Sequence, residues 1–452
     1  MTKKEIYTLD NGLTVIFYKD SRKHSAVANL MVKYGGMYNR FITNGKTYNI
    51  VDGMAHFIEH LLIEHSKYGN ILLGFRDDYI DTNGLTSSSR TCFYIDTVHD
   101  FEENLIKLIK AINDSEFTED DIEQTKYAIL EEVRKSNDNK FRNLDKCIRK
   151  SLFKNINYAS VLGTIEDVKS IDYKTAKLCY DVFYQPQNQI LAISGNVDIE
   201  KTKKIIEDTY NEIKKDKIDF SIPDFNEPVD VVKKEDVIKD NTEDEYTAIN
   251  YKIDISNLSN YDKVKLTFYL NYFLEYNFGE SSKAYKNLLD NKISFANIKT
   301  WCTFIDKFAV VEISTYTNKK DEFVKLVTDT INNKEFDEED FNLRKNSSII
   351  SLILREENPI RIINPLIENI ISFNYYDIDK IEDIESQTFE DYKKNILLLD
   401  YSKYSINTII KKDWQNLLFL LNIFKNNNII LIYEQLFIWR SKYEKRNKYN
   451  WT

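Results

Sequence analysis

His56, Glu59 and His60 lie in the run Asp52-Gly53-Met54-Ala55-His56-Phe57-Ile58-Glu59-His60 and form an H-x-x-E-H pattern, the feature that most constrains this chain. On a helix, positions four apart share one face about a turn apart, so both imidazoles reach a single Zn²⁺ while Glu59 projects beside them toward a bound water. Two ligands and a base then arrive on one short element. The plainer alternative is an amphipathic helix whose histidines cap or hydrogen-bond locally.

Catalytic zinc usually keeps three protein ligands and leaves one position for water, so a further His, Cys or carboxylate is required. The chain has five histidines, and the others are His24, His65 and His99. His65 follows His60 by five residues and therefore faces another side of the helix. His24 sits in a charged loop and His99 at a strand end, both expected at the surface. Glu131-Glu132 ends the helical-looking run 120–130 beside apolar residues, and a carboxylate there is the better candidate. Cys92, Cys147, Cys179 and Cys302 are widely separated with no C-x-x-C, which indicates neither a disulfide framework nor a thiolate zinc site.

With these residues in hand the chain resembles the inverzincin zinc peptidases, the family of pitrilysin, insulin-degrading enzyme and the mitochondrial processing peptidase, and in particular its short two-domain bacterial members. The family's third ligand is a glutamate in a later helix of the form vIxxEi. Ala128-Ile129-Leu130-Glu131-Glu132-Val133 matches that form, and the register implies Glu132, with Glu131 as the alternative. Leu9 to Val15 resembles the family's opening hairpin, and Asn83-Gly84-Leu85-Thr86 followed by Thr91 resembles its NAxT strand. Gly163-Thr164, Phe183 to Asn188 and Gly195-Asn196-Val197 continue in the family's order. One departure stands out: the family often carries a second glutamate seven residues before the ligand glutamate, where this chain has Thr125. The outer support of the ligands therefore differs.

The resemblance implies an α+β fold of two homologous domains, each a mostly antiparallel sheet with helices packed on one face, together forming half of a clamshell. It implies one Zn²⁺ per chain held by His56, His60 and Glu132, with Glu59 as general base. Substrate is expected as an added strand along Asn83, Gly84, Leu85 and Thr86, which suits short or unfolded peptides, including leader or precursor peptides. The alternative is a non-catalytic scaffold subunit of the same family. A purely structural zinc would need a fourth protein ligand, and no suitable extra His or Cys neighbours the motif.

Local signals set the organisation. Asp10-Asn11-Gly12 between two β-rich runs is a hairpin signal. Further strands are expected at 25–33, 91–98 and 189–197, and helices at 53–65, 100–114, 118–136, 140–153, 165–183 and 198–213. Residues 1–215 are thus read as the zinc-binding domain. Residues 216–242, charged and holding Pro223 and Pro228, are read as a linker, and 243–452 as a second, metal-free domain. In the latter a strand is expected at 243–254, a hairpin at 295–317, and helices at 260–277, 320–333, 337–356 and 360–373.

The second half contains no histidine, so it cannot bind zinc through imidazole. In the family this half, or a partner subunit, supplies an Arg and a Tyr seven residues apart that hold the substrate carbonyl. Laid ungapped on this chain, that pattern falls on Leu288 and Phe295, neither of which donates a hydrogen bond. A homologous partner subunit carrying the pair is therefore expected, as a heterodimer or else a homodimer.

At 452 residues, with 42% hydrophobic content, the chain has ample material for more than one core. A net charge of -10 argues against nucleic-acid or anionic-membrane binding. The first residues lack the apolar core of a signal peptide and no run reaches a membrane span's length, so a cytoplasmic location is expected. Residues 439–452 are locally basic and aromatic and read either as a partner contact or as a final helix with solvated lysines.

Overall fold

The computed structural model describes residues 2–156, 161–213, 215–376 and 381–412. In the first half, the Asn11 carboxamide accepts a bond from the Leu13 amide at 3.0 Å and closes the hairpin of β1 (Thr2–Thr8) and β2 (Thr14–Asp20). β3 (Ala26–Val32), β4 (Arg40–Thr43), β5 (Lys46–Asn49) and the helix α1 (Met54–Glu64) follow. Next come α2 (Ile71–Asp77), β6 (Asp81–Thr86), β7 (Thr91–Thr97), α3 (Phe101–Asn113), α4 (Glu119–Asn137) and α5 (Lys140–Leu152). α6 (Ile165–Ser170), α7 (Tyr173–Phe183), β8 (Gln189–Gly195) and α8 (Ile199–Glu212) complete it. The expected helix 165–183 is two helices. Ile171 is extended, and the Asp172 carboxylate caps α7 by accepting from the Thr175 amide at 2.7 Å.

The stretch expected as a linker holds structure of its own. β9 (Phe220–Ser221) joins β4 and β5 in a small sheet, and β10 (Glu235–Asp240) is an edge strand of the second half. Its polar, half-exposed residues explain why the sequence read as linker there. The second half continues with β11 (Tyr246–Asp254), α9 (Asn260–Phe278), α10 (Lys283–Asp290), β12 (Lys299–Ile305) and β13 (Phe308–Tyr316). α11 (Lys320–Asn332), α12 (Glu338–Arg355), α13 (Pro359–Phe373), α14 (Ile381–Glu385), α15 (Phe389–Leu397) and β14 (Tyr404–Lys411) end the described chain. The basic stretch 439–452 lies outside the described residues.

The fold is α+β, and its two halves repeat one topology. The first sheet runs β1-β2-β8-β3-β7-β6 and the second β10-β14-β11-β13-β12. Setting β1 aside, each position corresponds: β2 with β8 and β10 with β14 are the parallel pairs, and the other neighbours are antiparallel. Helices match too, with α1 answered by α9, α4 by α12 and α5 by α13 in chain order.

Strand alternation separates two cores on each sheet. Val15, Phe17, Ala28, Leu30, Leu191 and Ile193 face the half's own helices, while Ile16, Val27, Met31, Ile190 and Ala192 face the opposite side. That opposite side is covered by α13 of the second half through Ile363, Leu366, Ile367 and Ile370, at i, i+3, i+4 and i+7. The second sheet receives α5 of the first half in return, Leu144, Ile148 and Leu152 packing on Ala248, Val310 and Ile409. β3 and β8 are buried on both faces for this reason, which accounts for their nearly continuous apolar sequence.

A buried ion pair pins this exchange. Lys252 Nζ of β11 lies 2.7 Å from Glu227 Oε1, with both side chains fully buried, and also donates to the carbonyls of Leu152 and Pro228 at 2.8 Å. Glu227 accepts from the amides of Lys154, Asn155 and Ile156 at 3.0, 2.6 and 3.0 Å. One carboxylate thus ties the end of α5 to the second sheet. Lys252→Met strands that buried carboxylate and is expected to lower unfolding stability by about 3–5 kcal/mol in denaturant melts; an unchanged melt contradicts the pin.

Candidate metal centre

Gly53 caps the start of α1 with φ 88°, and a side chain there would collide with the Leu162 carbonyl oxygen at 2.5 Å. Only glycine lets the chain turn into α1 against that backbone. The helix is buried on nearly every side, so its polar residues are held rather than solvated. α4 begins with a capping box of Thr118 and Asp121 and buries Ile122, Thr125, Ile129 and Val133. The two helices lie side by side, and their facing residues bring three donors together.

His56 Nε2 and His60 Nε2 stand 3.6 and 3.7 Å from Glu132 Oε2. All three donor atoms lie within 4.8 Å of one another, the one such group of metal-binding type among the described residues. The separations are too long for good hydrogen bonds. They suit donors around one ion, since tetrahedral bonds of about 2.0–2.2 Å set neighbouring ligands roughly 3.4 Å apart. Glu131 is turned away, mostly exposed and paired with Arg134.

The two histidines differ in charge environment, and the carboxylates around His60 favour a cation there. Burial, with the neighbouring His60 and Arg142, pushes the His56 pKa down to about 3, so its imidazole is a neutral donor at pH 7. Burial acts to lower the His60 pKa too, but Glu64, Glu59 and Glu132 hold it above the ordinary value. Glu59 is 5% exposed, and burial raises its pKa while the Thr86 hydroxyl, donating at 2.5 Å, opposes the rise. Thr86 Oγ1 is in turn 3.1 Å from Thr91 Oγ1, and Thr91 donates to the Tyr34 carbonyl at 2.9 Å.

Asn83, Gly84, Leu85 and Thr86 all belong to β6, the outermost strand of the first sheet. A Cβ on Gly84 would stand 2.7 Å from Glu59 Oε1 and 2.5 Å from Ile63 Cδ1, so the bare backbone lets the carboxylate lie against the strand. Leu288 is fully buried in the second half's core and Phe295 is 81% exposed, so neither position offers a polar group to the centre.

His65 points to Asp121, with Nδ1 at 3.3 Å from Oδ1, while His24 and His99 are exposed. Two charged neighbours were not singled out from sequence. Glu64 lies 3.0 Å from His60 Nδ1, a contact that i,i+4 spacing signals. Arg142 of α5 donates to Ser136 Oγ at 3.3 Å, one turn past Glu132, and nothing in the sequence marks it.

Residues 14–163 match the family described as Insulinase (Peptidase family M16), and residues 170–348 match the Peptidase M16 inactive domain. The chain is 29% identical over 286 residues to the uncharacterized zinc protease YmfH of Bacillus subtilis, covering 62% of this chain and 67% of that one. It is 26% identical over 270 residues to the zinc protease PqqE of Helicobacter pylori, covering 56% and 57%. The chain thus spans little more than half of the latter relative's length. An M16-like peptidase from Alicyclobacillus acidocaldarius superposes with a TM-score of 0.82 over 91% of this chain and 99% of its own, at 17% identity. A chain of complex III2 from Candida albicans superposes with a TM-score of 0.69 over 90% and 95%, at 15% identity. At these identities the two structures speak to fold alone.

Elemental analysis of the purified chain is expected to find one zinc per molecule. His56→Ala, His60→Ala and Glu132→Gln are each expected to lose it, and Glu131→Gln to keep it.

Proposed function

The chain belongs to the insulinase (M16) peptidase family, and from that premise we propose that it is a zinc-dependent endopeptidase acting on short or unfolded peptides, leader or precursor peptides among them. The observation that carries this reading is the approach of His56, His60 and Glu132 from two helices beside a buried Glu59 and a free sheet edge. A zinc ion held by those three residues would supply a Lewis acid for the scissile carbonyl and lower the pKa of water toward about 7.

Glu59 acts as general base: it takes a proton from the attacking water and returns it to the departing amine, which completes hydrolysis of the peptide bond. Its raised pKa makes the carboxylate a stronger base, and the Thr86 hydroxyl keeps it aimed. The substrate lies as an added strand on β6. The turn bond from the Ser87 amide to the Arg90 carbonyl sets the parity of the β6–β7 pairing, so the backbone N–H and C=O groups of Thr82, Gly84 and Thr86 point away from β7. Main-chain pairing there gives affinity with little dependence on sequence.

The site is completed by a homologous partner subunit that brings the missing Arg and Tyr, since Leu288 and Phe295 cannot stabilise an oxyanion. A cytoplasmic setting belongs to the same reading, supported by four free cysteines. The alternative, a non-catalytic scaffold subunit, is kept open by that same missing pair.

Cleavage of a quenched fluorescent peptide by wild type, with the candidate partner present, is expected to fall about 10²- to 10⁴-fold in Glu59→Gln at unchanged zinc content. Equal cleavage contradicts Glu59 as base, and zinc retained without cleavage under every partner condition favours the scaffold. Full activity of the chain alone contradicts the shared site.

The acid limb of kcat/KM reports protonation of Glu59, since activity is lost as pH falls through its pKa. Thr86→Val removes a bond that favours the charged form, so the limb is expected to move to higher pH. A limb that stays in place, or moves down, contradicts this.

A further inference from the structure

We infer that Glu64 is the positioning carboxylate of this centre, holding His60 as the Nδ1–H tautomer so that its Nε2 lone pair faces Glu132 and the ion. The inference rests on the zinc reading above and assigns the support of its ligands.

Two distances carry it. His60 Nδ1 lies 3.0 Å from Glu64 Oε1, and the ring's other nitrogen lies 3.7 Å from Glu132 Oε2. An ionised carboxylate only accepts hydrogen bonds, so the nitrogen facing Glu64 must carry the hydrogen. The opposite nitrogen is then left free to donate its lone pair. A ligand imidazole ordinarily has its second nitrogen fixed in this way by a carboxylate, carbonyl or water. Here the carboxylate stands one turn further along the same helix, where i,i+4 geometry holds it in reach.

The contact does not stop at Glu64. Its Oε2 lies 3.9 Å from His65 Nε2, and His65 Nδ1 lies 3.3 Å from Asp121 Oδ1. Asp121 also accepts from the Thr118 amide at 2.7 Å in the box that starts α4. A line of polar contacts therefore runs from a ligand on α1 to the first turn of the helix that presents Glu132.

The other candidate for this task is empty-handed. Thr125 stands where the resemblance led us to expect a second glutamate, and its hydroxyl is fully buried with no hydrogen-bond partner. His56 Nδ1 is likewise buried and unpartnered. The supporting carboxylate therefore stands on α1, and it serves His60.

The test uses the full chain, freed of metal and then titrated with zinc against a competing chelator. Its second readout is the ¹⁵N spectrum of the labelled imidazoles in the metal-free protein, at a pH high enough for His60 to be neutral, where only five histidines contribute. Glu64→Ala is expected to weaken zinc binding about 10- to 100-fold and to release His60 into a mixture of tautomers. Glu64→Gln, whose amide oxygen still accepts from Nδ1–H, is expected to keep the single tautomer and recover most of the affinity. Zinc affinity and tautomer both unchanged in Glu64→Ala overturn the inference and leave the zinc reading standing. A wild-type chain that takes up no zinc overturns that reading itself, and this one with it.

Discussion

The packing of α1 against α4 on one face of the first sheet is the constraint on which the rest depends. His56 and His60 come from one element and Glu132 from another, more than seventy residues later in the chain. Their donors can meet only if the apolar stripes of both helices are seated first. Ile58, Leu61 and Leu62 on α1, and Ile122, Ile129 and Val133 on α4, belong to one buried cluster with β2, β3, β7 and β8. Burying each such side chain is worth roughly 1.5–3 kcal/mol. Hydrophobic packing thus holds three polar groups close together, where the charge of a bound cation would offset the cost of their desolvation.

The second half repeats the frame of this packing without its donor group among the described residues. In the second half α9 and α12 stand where α1 and α4 stand in the first, but their contact is made by Tyr272, whose hydroxyl donates to Ser348 Oγ at 2.9 Å and whose ring packs edge-on against Phe341. Aromatic contacts replace ligands there. What the second half contributes instead is α13, which closes the far side of the first sheet, while α5 does the same for the second. Neither sheet has both its faces covered by its own half alone. Lys252 and Glu227 sit at the end of α5, and their fully buried pair fastens that exchange to the second sheet.

Much of this was legible in the chain. Helical spacing placed His56, Glu59 and His60 together, and family resemblance chose Glu132, which the geometry sets beside both imidazoles while Glu131 pairs with Arg134. The period of apolar residues marked most helices and the central strands except β14, a buried strand of the second sheet that no expectation covered. Other elements stayed hidden because their local pattern is weak. β10 is a polar edge strand, and the short α2 and α10 carry few buried residues, so neither left a strong periodic signal. The exchange of α5 and α13, and the Lys252–Glu227 pair, join residues far apart in sequence, and no local pattern announces them. Glu64 is a different case, because its i,i+4 spacing from His60 is visible in the sequence, but spacing alone does not show that the two side chains meet.

The central claim is that one ion sits between two imidazoles of a single helical turn and a carboxylate of a distant helix. Anomalous diffraction at the zinc edge, from crystals of the zinc-loaded chain, tests it most directly. The account predicts one peak within bonding distance of His56 Nε2, His60 Nε2 and a Glu132 oxygen, about 2.0–2.2 Å from each, with no fourth protein ligand. A peak elsewhere, a peak closed by a fourth side chain, or none at full zinc loading would contradict it.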